Sequence, residues 1–171
     1  LQRHHGSLYQ DQRNHSQLRS YFEYHGGLHL MADTRRELIL ARIKSNLDSI
    51  TGATVYRSRV EPLARGEVPA VIVEPVSDQP SEVFSSKLQW QLRVRITVIV
   101  RAAVPDDDSD TYTQQVHQKI MADPTCNGYA LDIDPDRVDF SLYEADVPLG
   151  IISMDYMVMY RSGRTDLTVA G

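Results

Sequence analysis

Hydrophobic positions recur along this chain with two different periods. Leu40, Ile43, Leu47 and Ile50 follow one another at steps of three, four and three, which places them on one face of a helix. Thr34-Arg35-Arg36-Glu37 has the spacing of a capping box, so the helix is expected to start near Thr34. Gly52 stands where a left-handed C-terminal cap would end it. Further on, Leu88, Trp90, Leu92, Val94, Ile96, Val98 and Val100 occupy every second position. The intervening face carries Lys87, Gln89, Gln91, Arg93, Arg95, Thr97, Ile99 and Arg101. This alternation predicts a strand with one buried and one wet face. At ~3.3 Å per residue it would span roughly 50 Å. A strand of that length must bend, break at a bulge, or reach beyond its own domain.

The remaining segments fall between these two signals. Ala53 to Val60 reads as a strand, Arg59 to Glu67 as a loop broken by Pro62 and Gly66, and Ala70 to Val73 as a short apolar strand. Glu74 to Ser85 is polar, contains Pro75 and Pro80, and reads as a loop. Asp106, Asp107, Asp108 and Asp110 precede a second helix running to about Met121, where their charge would meet the positive end of the helix dipole. Tyr112, Val116 and Ile120 on that helix can face a sheet. Leu131 to Asp134 and Val138 to Ala145 read as short strands divided by Pro135. Ile152, Met154, Tyr156, Val158 and Tyr160 alternate again in a last strand, and Arg161 to Gly171 reads as a polar tail with few anchors. Runs of strands separated by single helices predict an α+β fold, with a mostly antiparallel sheet and two main helices packed on it.

Composition changes at Met31. Five of the six histidines precede it (His4, His5, His15, His25 and His29) without a tight ligand spacing, and no apolar period is sustained there. Residues 1–30 are therefore read as an N-terminal extension. Either the start is over-called at Leu1, with Met31 the true one, or the segment is an assembly arm that folds onto a neighbour. Residues 31–161 form the expected domain and residues 162–171 the C-terminal tail. The chain has 171 residues, enough to bury a core without disulfides or metals. Its net charge is −5, which disfavours a nucleic-acid binder held by phosphate neutralisation. A single cysteine, Cys126, excludes an intrachain disulfide framework and fits assembly in a reducing cytoplasm.

The chain carries few residues with recognisable chemistry. Among residues after Met31, only His117 and Cys126 could form a Cys–His pair, and nothing near Cys126 in sequence would activate it. Asp132, Asp134 and Asp136 match the first three ligands of a calcium loop, but Arg137 and Tyr143 stand where that loop needs Gly and Glu. No catalytic, cofactor-binding or metal-ligating residue is predicted. Lys87, Arg93, Arg95 and Arg101 could meet an acidic surface, although a half-buried strand carries such residues on its wet face anyway.

Several segments resemble one family. Arg36-Glu37-Leu38-Ile39-Leu40-Ala41-Arg42-Ile43, Val55-Tyr56-Arg57-Ser58-Arg59-Val60-Glu61-Pro62-Leu63, Pro69-Ala70-Val71-Ile72-Val73-Glu74-Pro75 and the ending from Tyr160-Arg161 to Asp166-Leu167-Thr168 are similar to the tail-terminator proteins of long-tailed bacteriophages and prophages, the group that includes minor tail protein U. The likeness covers roughly Met31 to Leu167 and lies in the whole pattern. It implies a ring-forming subunit, a hexamer seated on the finished tail tube, that stops elongation and offers a surface to head-completion and neck proteins. It also implies a virion-tail location after assembly in the bacterial cytoplasm, no membrane, and DNA only in passage through the ring lumen. No catalytic residue comes with the resemblance. Arg93 and Arg95, with the run Asp106, Asp107, Asp108 and Asp110, are the candidate subunit-interface residues, since guanidinium groups pair bidentately with carboxylates. The alternatives are a neck or head–tail joining ring protein, or a cytosolic α+β ligand-binding or regulatory module.

Overall fold

A computed structural model describes residues 32–171. The expectations for residues 1–30, and the placement of Met31, lie outside the described residues. Helix α1 (Arg35–Leu47) leads to β1 (Thr54–Arg57), a short 3-10 turn (Arg65–Glu67), β2 (Ala70–Val83), β3 (Lys87–Arg101), helix α2 (Pro105–Met121), β4 (Asp132–Tyr143) and β5 (Leu149–Gly163). The five strands make one sheet in the order β1-β2-β3-β5-β4. Only the β1–β2 pair is parallel; β2–β3, β3–β5 and β4–β5 are antiparallel. Among the described residues the fold is α+β, with a mostly antiparallel sheet and two helices.

Both helices press on the same face of the sheet. The α1 stripe of Leu40, Ile43, Leu47 and Ile50 is buried, joined by Ile39. Val116 and Ile120 of α2 enter the same core. The sheet answers with its alternating residues: Val71 and Val73 of β2, Leu92, Val94, Ile96 and Val98 of β3, and Ile152, Tyr156 and Val158 of β5. Thr34 caps α1 by accepting the Glu37 amide at 3.2 Å. Glu37 does not return the favour to Thr34; its carboxylate instead forms a bidentate ion pair with Arg57 of β1. The helix also ends a turn earlier than expected, at Leu47 with Asp48 as its cap. Gly52, with φ +85°, serves the turn into β1. A Cβ there would strain the backbone and meet the Tyr112 hydroxyl at 3.4 Å.

The structure corrects several other boundaries. Glu74 to Ser85 is not a loop: β2 continues to Val83, paired with β3 along its length. The prolines are accommodated because the register slips beside each, between Pro75 and Ser77 and between Pro80 and Glu82, leaving Val76 and Ser81 as bulged residues. Past Val73 this strand has no β1 neighbour, so the missing proline N–H groups cost no ladder bond on that side. Pro135 likewise fails to divide β4, which runs through it with Asp136 bulged opposite β5. The strand expected over Ala53 to Val60 stops at Arg57, where Ser58 turns to φ 46°. Asp106, Asp107 and Asp108 lie inside the first turn of α2, behind Pro105, and not before the helix. The C-terminal tail is anchored: Leu167 accepts the Arg35 amide, Val169 accepts the Gly163 amide, and Ala170 bridges to Ser162.

The long strand keeps the predicted limits, Lys87 to Arg101, and pairs with β5 without a slip. Its length is resolved by its neighbours, since β2 takes up the irregularities and both strands run on past the helices. That overhang corrects the expected burial of Trp90. Its side chain is only half-buried, stacked on Tyr160 with ring centroids 6.2 Å apart, and its indole N–H donates to Ser162 Oγ at 2.9 Å.

Candidate functional site

The helix-free face of the sheet is built by the residues that alternate with the core. Register places Glu74 of β2 opposite Arg95 of β3, Arg95 opposite Asp155 of β5, and Asp155 opposite Arg137 of β4. One straight row of alternating charge therefore crosses four strands. Arg95 holds Asp155 with both arms, Nε to Oδ1 at 2.7 Å and Nη2 to Oδ2 at 3.0 Å. Arg137 reaches the same carboxylate at 3.5 Å and Asp139 at 2.9 Å. The Asp155 side chain is 1% exposed, covered by its arginines on a face that no helix among the described residues covers. The hydrogen bonds from Arg95 hold its carboxyl below the usual range despite burial, and the nearby Arg137 and Arg93 act in the same direction. Arg93, one residue pair further along, reaches the bulged Asp136 at 3.2 Å.

Of the candidate interface residues, Arg93 and Arg95 thus share a face and are both already paired within the chain. Asp106, Asp107, Asp108 and Asp110 are exposed at the start of α2, on the opposite side of the sheet. Among the described residues none of these four forms an ion pair. The structure does not bring the arginines and the acidic run together in one chain; they could meet only between chains. Sequence reasoning missed Asp155, Arg137 and Glu74. Asp155 interrupts an otherwise apolar stretch between Met154 and Tyr156, which was a signal, but its partner could be named only once the register was known.

Of the residues weighed for catalysis, Cys126 is held in an unreactive setting. Cys126 is buried in a tight loop with Asn127 and Gly128, all three at positive φ. Burial pushes its thiol up to about 12, so it carries no thiolate at neutral pH. His117 lies at 3.3 Å from the Tyr156 hydroxyl through Nδ1 and stacks on that ring. Asp132, Asp134 and Asp136 are spread along β4, and among the described residues no group of acidic, His or Cys side chains is arranged to hold a metal ion. Two recesses, one lined by Gly52 to Thr54 with Gly66 to Pro69, the other by Pro69, Arg101, Asp108 and Tyr112, are open to solvent. No helix among the described residues is long and apolar enough to cross a membrane.

What the sheet does expose is edge. Among the described residues β4 closes one side of the sheet and has no further neighbour. On the helix side of that strand Val138, Phe140 and Leu142 face out beyond α2, at 47, 62 and 57% exposure. Their β5 partners Met154, Ile152 and Gly150 are buried, so the apolar row begins where helix cover ends. At the other end the edge is the short strand β1 and, beyond Val73, β2 itself, with Pro75 and Pro80 along it and Val83 and Phe84 exposed at its tip.

No protein-family model matches the chain, and no curated protein matches it either. Among solved structures the chain is similar to one described as "Virion of native gene transfer agent (GTA) particle", at 12% identity and a TM-score of 0.41, covering 75% of this chain and 92% of that chain. A likeness of that degree carries no functional weight.

Proposed function

We propose that this chain is a non-enzymatic virion subunit of the tail-terminator type, which closes the phage tail tube as a hexameric ring and presents the surface for head joining. The observation that carries the reading is the resemblance of the segments quoted above, which fall on α1, on β1 and the loop after it, on the start of β2, and on the end of β5 with the anchored tail. These elements lie around one sheet, so the resemblance spans a connected body. The edges support the reading physically. A sheet with unpaired backbone at both sides is suited to assembly and hazardous when left free. Head-to-tail contacts that close into a ring satisfy such a subunit without leaving an open end for further growth. The partners in this reading are copies of the chain, the tail tube protein and the head-completion or neck proteins, with DNA passing through the lumen.

The deciding experiment combines particle mass with negative-stain images of the full chain, alone and mixed with tail tubes. Six-membered rings seated on tube ends are expected. Virions made without this chain should carry overlong tails. A chain that leaves tubes uncapped, together with tails of normal length in its absence, rules the reading out.

A further inference from the structure

The free edge of β4 is not an ordinary strand edge. Its first half is guarded by Pro135, the bulge at Asp136 and a run of aspartates. Natural edges are blunted by such features. Its second half has lost them: Val138 to Tyr143 is regular strand, apolar at every second residue, with Asp139 its one charge. The β2 edge differs, since two prolines and two bulges fall in its open half and make it a poor template for another strand. A partner for the β4 edge must supply a regular strand with matching alternation.

We propose that this partner is the same edge of a second copy of this chain, paired antiparallel about a two-fold axis at Phe140. The proposal goes beyond the terminator reading and does not depend on it. The edge is complementary to itself. With Phe140 opposite its own copy, Val138 faces Leu142, Asp139 faces Ser141 and Arg137 faces Tyr143. Apolar meets apolar on the helix side, a carboxylate meets a hydroxyl, and a guanidinium meets an aromatic ring. Moving the axis to Asp139 would place two carboxylates opposite each other. Moving it to Ser141 would set Val138 against Glu144. Registers of the other parity would turn the two apolar rows to opposite faces. The helices leave room for the contact: α2 packs across β3 and β5 and also touches β4. Three to four strand spacings of ~4.8 Å therefore separate the two copies of α2, about 14–19 Å. A helix with its side chains is roughly 10–12 Å across.

The test uses the full chain in sedimentation equilibrium, with circular dichroism as the check on folding. The wild-type chain should dimerise, and Phe140→Lys, which brings two ammonium groups together on the axis, should raise the dimer dissociation constant at least tenfold. A second pair of variants reads the register directly. Mild oxidation of Phe140→Cys should link two chains into a reducible covalent dimer, because directly opposed Cβ atoms lie about 4.5–5.5 Å apart. Asp139→Cys should link far more slowly, since its copies are offset diagonally by about 7–8 Å. The native Cys126 thiol is buried and does not compete. A wild-type chain that stays monomeric to its solubility limit overturns the proposal. So does equal linking of the two cysteine variants. A Phe140→Lys chain that dimerises as tightly as the wild type overturns it whether or not rings form, and a dimer lost in that variant while the wild-type chain leaves tubes uncapped keeps it and overturns the terminator reading. If Phe140→Lys fails to fold, the cysteine pair decides.

Discussion

Asp155 is the residue on which the open face of the sheet turns. Two arginines converge on a carboxylate that is almost fully covered, and Glu74 backs Arg95 from the far side. Replacing Asp155 by Asn keeps the shape and removes the charge, which leaves Arg95 and Arg137 side by side without their common partner. Since Arg95 remains about a third exposed, solvent moderates the loss, and a cost of about 1–3 kcal/mol is expected in chemical denaturation. The pH dependence has a definite sign. The folded-state pKa of Asp155 is depressed, so its contribution is complete above the unfolded-state value of about 3.9 and is lost as pH falls through and below that value. Midpoints measured from pH 6 down to pH 3 should therefore fall less steeply for Asp155→Asn than for the wild type; parallel curves would show that the ladder contributes nothing to folding. Trp90 follows a related logic. A fully buried tryptophan would cost about 3–5 kcal/mol on truncation to Ala, but this one is half-buried beyond the helices and keeps one hydrogen bond. A loss of about 2 kcal/mol is expected for Trp90→Ala, with iodide quenching of its native fluorescence intermediate between free and fully shielded.

At the scale of elements, the prolines of β2 have a consequence that can be measured. Pro75→Thr with Pro80→Thr would return two N–H donors to an open edge and relax two bulges. The folded chain should keep its circular dichroism but scatter light sooner on concentration or mild heating; unchanged scattering would show that the edge is guarded by something else. These prolines also mark where the sequence stopped being readable. β3 was legible to the residue because each of its faces has its own chemistry from Lys87 to Arg101. The apolar stripe of α1 was legible for the same reason. β2 beyond Val73 and the middle of β4 were not, because polar residues and prolines carry no alternation there. The strands persist because a neighbour, β3 or β5, supplies the register from the other side. The candidate interface was legible in part. Arg93 and Arg95 do share the wet face, but their partners Asp136 and Asp155 lie 43 and 60 positions away in sequence, and pairing across that separation is set by sheet order. No periodicity records it.

For the whole molecule, the core runs from Ile39 to Tyr160 and draws on both helices and all the long strands. Removal of residues 1–30 should accordingly leave cooperative thermal unfolding, and a broad, non-cooperative melt of the shortened chain would contradict this. Assembly makes a harder demand, because the arginines proposed for the subunit contact already serve the fold. Reversing Arg95 to Glu would set a carboxylate against the covered Asp155, so a lost ring in that variant would say nothing about the interface. Arg93 is the better probe. Its partner Asp136 is bulged and more than a third exposed, so the pair adds at most about 1 kcal/mol. On the other contact surface, Asp106, Asp107 and Asp108 in the first turn favour the α2 N-terminus by about 0.3–1 kcal/mol each, and exchanging one leaves two in place. If head-to-tail neighbours join Arg93 of one chain to this acidic run of the next, Arg93→Asp should weaken the ring, most clearly at low salt where the attraction is least screened. Asp107→Arg alone should weaken it too. The double variant restores one opposite-charge pair at each contact of a closed ring, because each chain contributes both surfaces, while three aspartates of the run remain and make the recovery partial. Ring mass should then recover toward the wild-type value while dichroism stays constant through the series. Recovery in the double variant would tie the two surfaces to one interface, and a ring weakened further by the second exchange would place them in separate contacts.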